Sequence, residues 1–167
     1  MYYNEIKVSQ HLLQNGEKMT KIFDYFSNSE QQHWINKIKE CDWSAAGFLA
    51  HILDRRQFHE VLGKGSLFIM ADGDELVSFC TLSERDCVND NTLFPWIGFV
   101  FTVPEYRGHR YSGKLIDFAC GEAKKHNYDR VYLATDHIGL YEKYGFTYLE
   151  TRTDIYDEES RIYIREL

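Results

Sequence analysis

The stretch from Pro95 to Ala134, PWIGFVFTVPEYRGHRYSGKLIDFACGEAKKHNYDRVYLA, changes its apolar period twice. Residues Pro95 to Val103 are aromatic and β-branched, the composition of a strand, and Pro104 ends that strand because it has no N–H to donate to a ladder. After the loop EYRGHRY, Leu115, Ile116, Ala119, Cys120 and Ala123 recur on one face of a helix predicted from about Ser112 to His126, closed by Asn127. Arg130 to Ala134 returns to strand character. A strand, a helix and a second strand in this order predict a parallel pair joined by the helix.

Upstream, Ser29 to about Glu40 is predicted as a helix capped by Ser29 with Gln32 reaching back, and Trp34, Ile35 and Ile38 line its buried face. Ser44 is the predicted cap of a second helix carrying Phe48, Leu49, Ile52 and Leu53, and a short third turn ends near Gly63. Ser66–Met70 and Glu75–Leu82 are predicted antiparallel strands joined at Asp72-Gly73. Tyr2 to Val8 is predicted as a further strand. Downstream come a short helix near Ile138–Tyr144 ending at Gly145, then strands near Phe146–Thr151 and Arg161–Ile164. The alternation predicts a mixed α/β sheet.

The 167 residues suit one domain, 1–167, with one core, and the 44% hydrophobic content is enough to offset chain entropy. A net charge of -7 argues against nucleic acid, whose phosphates select basic faces, and is compatible with a cationic partner. Cys41, Cys80, Cys87 and Cys120 show neither Cys-x-x-Cys nor zinc spacing, so no metal is expected and a reduced, cytoplasmic protein is. The N-terminus has no signal-peptide pattern and no apolar run is long enough to span a bilayer, so no membrane role is expected.

The chemistry concentrates between the strand and the helix. Backbone N–H groups of a first helical turn, together with the helix dipole, favour a pyrophosphate at such a junction. Arg107, Arg110 and Lys114 add positive charge there in an acidic chain, His109 lies among them, and Gly108 and Gly113 permit close backbone approach. A solvated basic loop is the competing reading. Gly108 to Lys114 also satisfies most of a nucleoside-triphosphate loop pattern, but Leu115 stands where that pattern needs Ser or Thr for magnesium.

From the strand before Pro104 through Tyr144-Gly145-Phe146 the sequence resembles the N-acetyltransferase superfamily abbreviated GNAT. Its coenzyme loop reads Arg/Gln-x-x-Gly-x-Gly/Ala; Arg107 holds the first position in VPEYRGHRYSGKL, while Arg110 and Ser112 stand at the Gly and Gly/Ala positions. Leu140-Tyr141-Glu142-Lys143-Tyr144-Gly145-Phe146 is similar to the family's LYEKxGF segment; the family's upstream Asn and Ala are absent, replaced by Thr135-Asp136-His137-Ile138-Gly139. The resemblance implies a mostly antiparallel twisted sheet with a central parallel pair splayed at a coenzyme cleft and flanked by helices. About the first ninety residues carry no family motif.

The resemblance further implies acetyl-CoA as co-substrate. Backbone of Phe101, Thr102 and Val103 would hold its pantetheine arm, and backbone of His109, Arg110, Tyr111, Ser112, Gly113 and Lys114, with Arg107 and Gly108, its pyrophosphate. One N–H would polarise the thioester carbonyl. Tyr141 matches the family tyrosine that protonates the departing thiolate. The acceptor, a primary amine of a small molecule or peptide, must lose a proton to attack, and Glu84 and Asp86 after the Glu75–Leu82 strand are candidate proton acceptors. Solvated turn carboxylates are the competing reading for both. His137 is a candidate helix cap or substrate contact. The acidic run Thr153–Glu159 hints at a cationic acceptor, and a homodimer formed by completing the sheet across subunits is compatible with the fold. A coenzyme-binding module of the same fold without turnover is the alternative to an enzyme.

Overall fold

The structure is a computed structural model that describes residues 19–167. Its frame is one seven-stranded sheet in the order β1-β2-β3-β4-β5-β7-β6. The strands are β1 (Thr20–Asp24), β2 (Gly65–Asp72), β3 (Glu75–Ser83), β4 (Trp96–Thr102), β5 (Arg130–Thr135), β6 (Thr147–Thr153) and β7 (Glu159–Glu166). Every neighbouring pair is antiparallel except β4 and β5, which run parallel. The helices are α1 (Gln31–Lys39), α2 (Ser44–Asp54), α3 (Phe58–Leu62) and α4 (Tyr111–Lys125). The mixed sheet with its central parallel pair agrees with the expected fold class.

Alternation along the strands divides the apolar side chains between two layers. On one face α4 presents Leu115, Ile116, Ala119 and Ala123 to Val77, Cys80 and Leu82 of β3, Ile97 of β4, and Val131 and Leu133 of β5. On the other face Trp34, Ile35 and Ile38 of α1 and Leu49, Ile52 and Leu53 of α2 cover Leu67 and Ile69 of β2 and Phe79 of β3. A third cluster, Val88, Trp96, Tyr132 and Ile162, closes the sheet beyond β4. Burying each such side chain contributes about 1.5–3 kcal/mol, so the layers rather than helix propensity fix the helices in place.

Several local expectations need correction. The predicted strand Tyr2–Val8 lies outside the described residues, and β1, a short segment with Lys21 and Asp24 breaking its apolar run, was not anticipated. Helix α1 starts at Gln31 and its predicted capping box does not form: Asn28 Oδ1 accepts the Glu30 N–H at 2.7 Å, and Gln32 Nε2 donates to Asn36 Oδ1. Trp43, not Ser44, precedes α2, and Ser44 is its first helical residue. Asp72 pairs with Glu75, so the hairpin turn is Gly73-Asp74, with Gly73 at φ +60°. The predicted helix Ile138–Tyr144 shrinks to a 3-10 turn, Tyr141–Tyr144, because Gly139 at φ +81° breaks the segment before it.

No helix among the described residues is long and apolar enough to cross a membrane. Among the same residues no group of three or more His, Cys, Asp or Glu side chains converges as a metal site would require.

Candidate active site

The polypeptide leaves β4 through Val103, makes a 3-10 turn at Pro104–Tyr106, and reaches α4 through Arg107, Gly108, His109 and Arg110. Gly108 has φ +86° and Arg110 φ +59°, so the chain enters the helix through two left-handed residues. For Arg110 that conformation costs about 1–2 kcal/mol relative to a right-handed one. Its backbone thus follows the path a glycine takes most easily, with the guanidinium left free to project from it.

Lys114 N–H donates to the Arg110 carbonyl at 3.1 Å, the first hydrogen bond of α4. The N–H groups of Tyr111, Ser112 and Gly113 precede that bond, and no side chain of the capping residue closes the turn. These donors and the positive end of the helix dipole face a cleft of about 240 Å³ walled by Thr102, Tyr106, Tyr144 and the loop residues Arg107, Gly108 and Arg110. Arg107 Nε donates to the Thr102 carbonyl at 3.1 Å, with its guanidinium carbon 5.6 Å from the Phe101 ring. Lys114 Nζ stands 5.2 Å from the Tyr111 ring, and the His109 ring centroid 5.6 Å from that of Tyr111. The predicted loop residues are therefore brought together around one helix start, with cations on its rim.

Strands β4 and β5 pair only at their beginnings, through Trp96 opposite Tyr132 and a 2.9 Å bond from the Tyr132 N–H to the Pro95 carbonyl. Beyond that pair they diverge toward the α4 loop. Val103 N–H is committed to the Val77 carbonyl of β3, at 3.0 Å. Because successive backbone groups of a strand alternate sides, the N–H groups of Thr102 and Val100 turn toward the open gap, while those of Phe101 and Val103 turn toward β3. Of the three backbone positions expected to meet an extended ligand, Thr102 is the one so directed.

The gap opens at an irregularity. Phe79 pairs with Phe101 but Thr81 with Gly98, a register shift that places an extra residue in β4, and Phe99 there has φ +48°. Such a bulge bends the strand and re-aims its neighbours. Phe99 was not singled out from sequence, although a glycine inside an aromatic and β-branched strand is the usual signal for a bulge or a close backbone approach.

On the α4 face, Tyr141 packs in the layer that holds Ile97 of β4 and Leu133 of β5 and is 7% exposed. Burial pushes its phenol up to about 12, with smaller contributions from Cys80 and Tyr144, so the hydroxyl is protonated at neutral pH. Tyr144, which sequence reasoning also passed over, meets the helix start directly. A β-carbon on Gly113 would lie 2.6 Å from its ring, and its hydroxyl is 3.1 Å from Ser112 Oγ. The LYEKYGF segment is thereby locked onto the loop that it follows by some thirty residues.

The two carboxylates after β3 have different surroundings. Glu84 Oε2 accepts the Lys64 N–H at 2.9 Å, tying the corner between α3 and β2 at the end of the sheet away from the α4 loop. Asp86 instead lays its carboxylate over Gly98, where a β-carbon would meet Oδ2 at 2.2 Å. Its Oδ1 accepts the Cys87 N–H at 2.6 Å, and burial raises its carboxyl above the usual range against that lowering bond. His137 N–H donates to Thr135 Oγ1, and its side chain is exposed. A larger cavity of about 830 Å³ lies near the C-terminal end of α4, beside Phe118, His126 and Tyr128, and reaches Ser83 and Lys64 next to Glu84, but it takes in none of the α4 loop residues.

Comparison with known proteins bears on what this geometry is for. A family profile described as an acetyltransferase (GNAT) domain matches residues 26–149. No curated protein matches the chain in sequence. Among solved structures, an acetyltransferase from Streptococcus agalactiae is 21% identical with a TM-score of 0.63, over 89% of this chain and 98% of that one. A GNAT family acetyltransferase from Elizabethkingia anophelis with acetyl-CoA bound is 14% identical with a TM-score of 0.64, over 89% and 98% of the two chains. An acetyltransferase of the GNAT family from Staphylococcus aureus is 20% identical with a TM-score of 0.60, over 89% and 99%. These likenesses are in fold. The profile match spans most of the sequence and takes in the splayed strands, the uncapped helix start and the Tyr141 turn alike, and the chain belongs to the GNAT acetyltransferase family.

Proposed function

We propose that the protein transfers the acetyl group of acetyl-CoA to a primary amine of a small molecule or peptide, by direct attack within a ternary complex. The observation that carries this reading is the uncapped start of α4 opening onto the gap where β4 and β5 part. A diphosphate fits the N–H groups of Tyr111 to Gly113, with Arg107, Arg110 and Lys114 adding charge-assisted attraction. The extended arm of the same molecule fits the gap, hydrogen-bonded to the outward N–H groups of Thr102 and Val100. An N–H beside the Phe99 bulge is then placed to stabilise the charge that develops on the thioester oxygen.

In this mechanism the amine nitrogen attacks the acetyl carbon, a C–N bond forms and the C–S bond breaks. The departing thiolate takes a proton from the Tyr141 hydroxyl, which solvent restores. Cations remain attractive acceptors for a chain of net charge -7 with an acidic turn at Asp154–Glu159. Acetyl-CoA-dependent thiol release, measured against polyamines, aminoglycosides, amino acids and peptide N-termini, tests the reading. Release that depends on one amine class is expected; acetyl-CoA binding with no release on any of them would reduce the protein to a coenzyme-binding module.

A further inference from the structure

An amine accepting an acetyl group from a thioester must shed protons, and the chain has to offer a base beside the reacting carbon. Which group does so is not settled by motif, since the segment after β3 carries two carboxylates two residues apart. Their environments separate them. The Glu84 carboxylate is held by the Lys64 N–H and packs against Gly63, so it closes a corner between α3 and β2.

Asp86 is held in the opposite sense. Gly98 precedes the Phe99 bulge, and the missing side chain leaves a notch in β4 that the Asp86 carboxylate occupies. Thr81 Oγ1 borders the same notch, 3.1 Å from the position a Gly98 β-carbon would take, and it is fully buried without a hydrogen-bond partner among the described residues. A buried hydroxyl left unpaired costs about 1–3 kcal/mol. The Asp86 carboxylate is held by the Cys87 N–H and its thiol, so the Thr81 hydroxyl beside it is the polar group of this spot that the fold leaves unsatisfied among the described residues.

The spot also has the right side. Ile97 and Val100 belong to the layer under α4 that contains Tyr141, so alternation turns Gly98 to the opposite face of the sheet. A nucleophile approaching over Gly98 would reach the thioester from the sheet face opposite Tyr141, which keeps the group that takes the amine proton apart from the group that gives one to the thiolate. On that nucleophile face the rings of Trp43, Phe48 and Phe99 stand beside one another, with Phe48 42% exposed. They offer an apolar wall to whatever carries the amine.

We propose that Asp86, seated in the Gly98 notch beside Thr81, is the catalytic residue that binds the acceptor amine and takes its proton. This rests on the acetyl-transfer reading above and adds the base it lacks. The incoming ammonium gives its first proton to the Asp86 carboxylate and attacks as the free amine. That proton passes to solvent, and the carboxylate then takes the second as the C–S bond breaks. Tyr141 supplies the proton that the thiolate gains.

The test begins with the parent protein and its best acceptor from the amine panel, followed by Asp86→Asn and Gly98→Ala. Asp86→Asn is expected to lower kcat about a hundredfold or more while acetyl-CoA affinity by calorimetry holds. The loss should shrink with hydroxylamine, a weakly basic nucleophile that is largely neutral at neutral pH and does not need the first proton removed. Gly98→Ala keeps the carboxylate but pushes it out of the notch, and should lower kcat with the coenzyme still bound; thermal melting of each variant shows that it is folded. An active parent together with Asp86→Asn turning over a basic amine at the parent rate overturns the assignment and leaves the acetyl-transfer reading standing. A parent inactive on every amine overturns both.

Discussion

Ser112 Oγ and Tyr144 Oη stand 3.1 Å apart although thirty-two residues separate them, and this contact joins the start of α4 to the turn that carries Tyr141. It forms because the residue between Ser112 and Lys114 is glycine: a β-carbon at Gly113 would lie 2.6 Å from Tyr144 Cε1 and 3.0 Å from Cδ1. The loop that faces the cleft and the turn behind it are thus one packed unit.

Gly113→Ala should therefore displace the Tyr144 ring and break the Ser112 contact. Overpacking of this kind costs about 1–3 kcal/mol, which for a chain of this size lowers the melting temperature by roughly 2–10 °C. Removing the obstructing ring with Tyr144→Ala should make the alanine at 113 harmless, so the double variant loses less than the two single losses added together. A thermal double-mutant cycle measures this, and strict additivity would show that residues 113 and 144 do not meet.

Charge at the loop gives a second prediction. Arg107→Glu with Lys114→Glu reverses two exposed cations, one lining the α4 cleft and the other in the first turn of α4. Acetyl-CoA affinity should fall at least about tenfold, equivalent to 1.4 kcal/mol, and the parent's own affinity should weaken as salt is raised past the point where the screening length is about 10 Å. Calorimetry at two ionic strengths checks both. Unchanged affinity would place the coenzyme elsewhere.

How far the sequence discloses this site depends on the range of the interaction involved. The strand, helix and strand from Trp96 to Thr135 are written as local periodicity, and the turn at Gly145 as a glycine stop, so each was legible. The short strand β1 was not: its apolar pair Ile22-Phe23 is flanked by Lys21 and Asp24, and only pairing with β2 makes it a strand. The capping box at Ser29 does not form because α1 begins at Gln31 with Glu30 at its N-cap, and Asn28 binds the Glu30 N–H one residue before the helix. Glu84 and Asp86 look equivalent in the chain. What distinguishes them, the Lys64 N–H on one side and the Gly98 notch on the other, comes from segments some twelve to twenty residues away. Arg110 reads as a departure from a glycine pattern, yet its φ of +59° puts its backbone in the left-handed region that glycine adopts most easily.

Acid stability should report on the tie between the segment after β3 and β6. Asp90 accepts from the Thr92 N–H and hydroxyl at 2.7 and 2.6 Å and is paired with Arg152 of β6, and these bonds, the Thr92 ones first, hold its carboxyl down to about 2. A carboxylate whose folded value lies below its unfolded value of about 3.9 stabilises the fold above that value, and the contribution disappears as pH falls toward 2. Asp90→Asn should thus flatten the decline of the melting temperature between about pH 4 and pH 2, relative to the parent. An identical acid limb in both proteins would mean that Asp90 does not tie the segment after β3 to β6.

Tyr141 makes the corresponding prediction at the alkaline end, and it joins stability to turnover. Its phenol is held up to about 12, chiefly by burial, whereas an exposed tyrosine ionises near 10. Between those values the unfolded chain has lost the proton that the folded chain keeps, so the folded state binds more protons and its stability falls as pH rises through this window. Below about pH 10 this contribution is constant. The ultraviolet difference between parent and Tyr141→Phe isolates this one phenol from the other eleven tyrosines, and it should titrate near 12, with the variant losing less stability between pH 10 and 12. The same substitution removes a proton donor needed only as the thiolate leaves, so kcat should fall by about a hundredfold or more while acetyl-CoA affinity holds. A difference spectrum that titrates near 10 would show Tyr141 to be solvated, and equal kcat in the two proteins would remove its hydroxyl from the reaction.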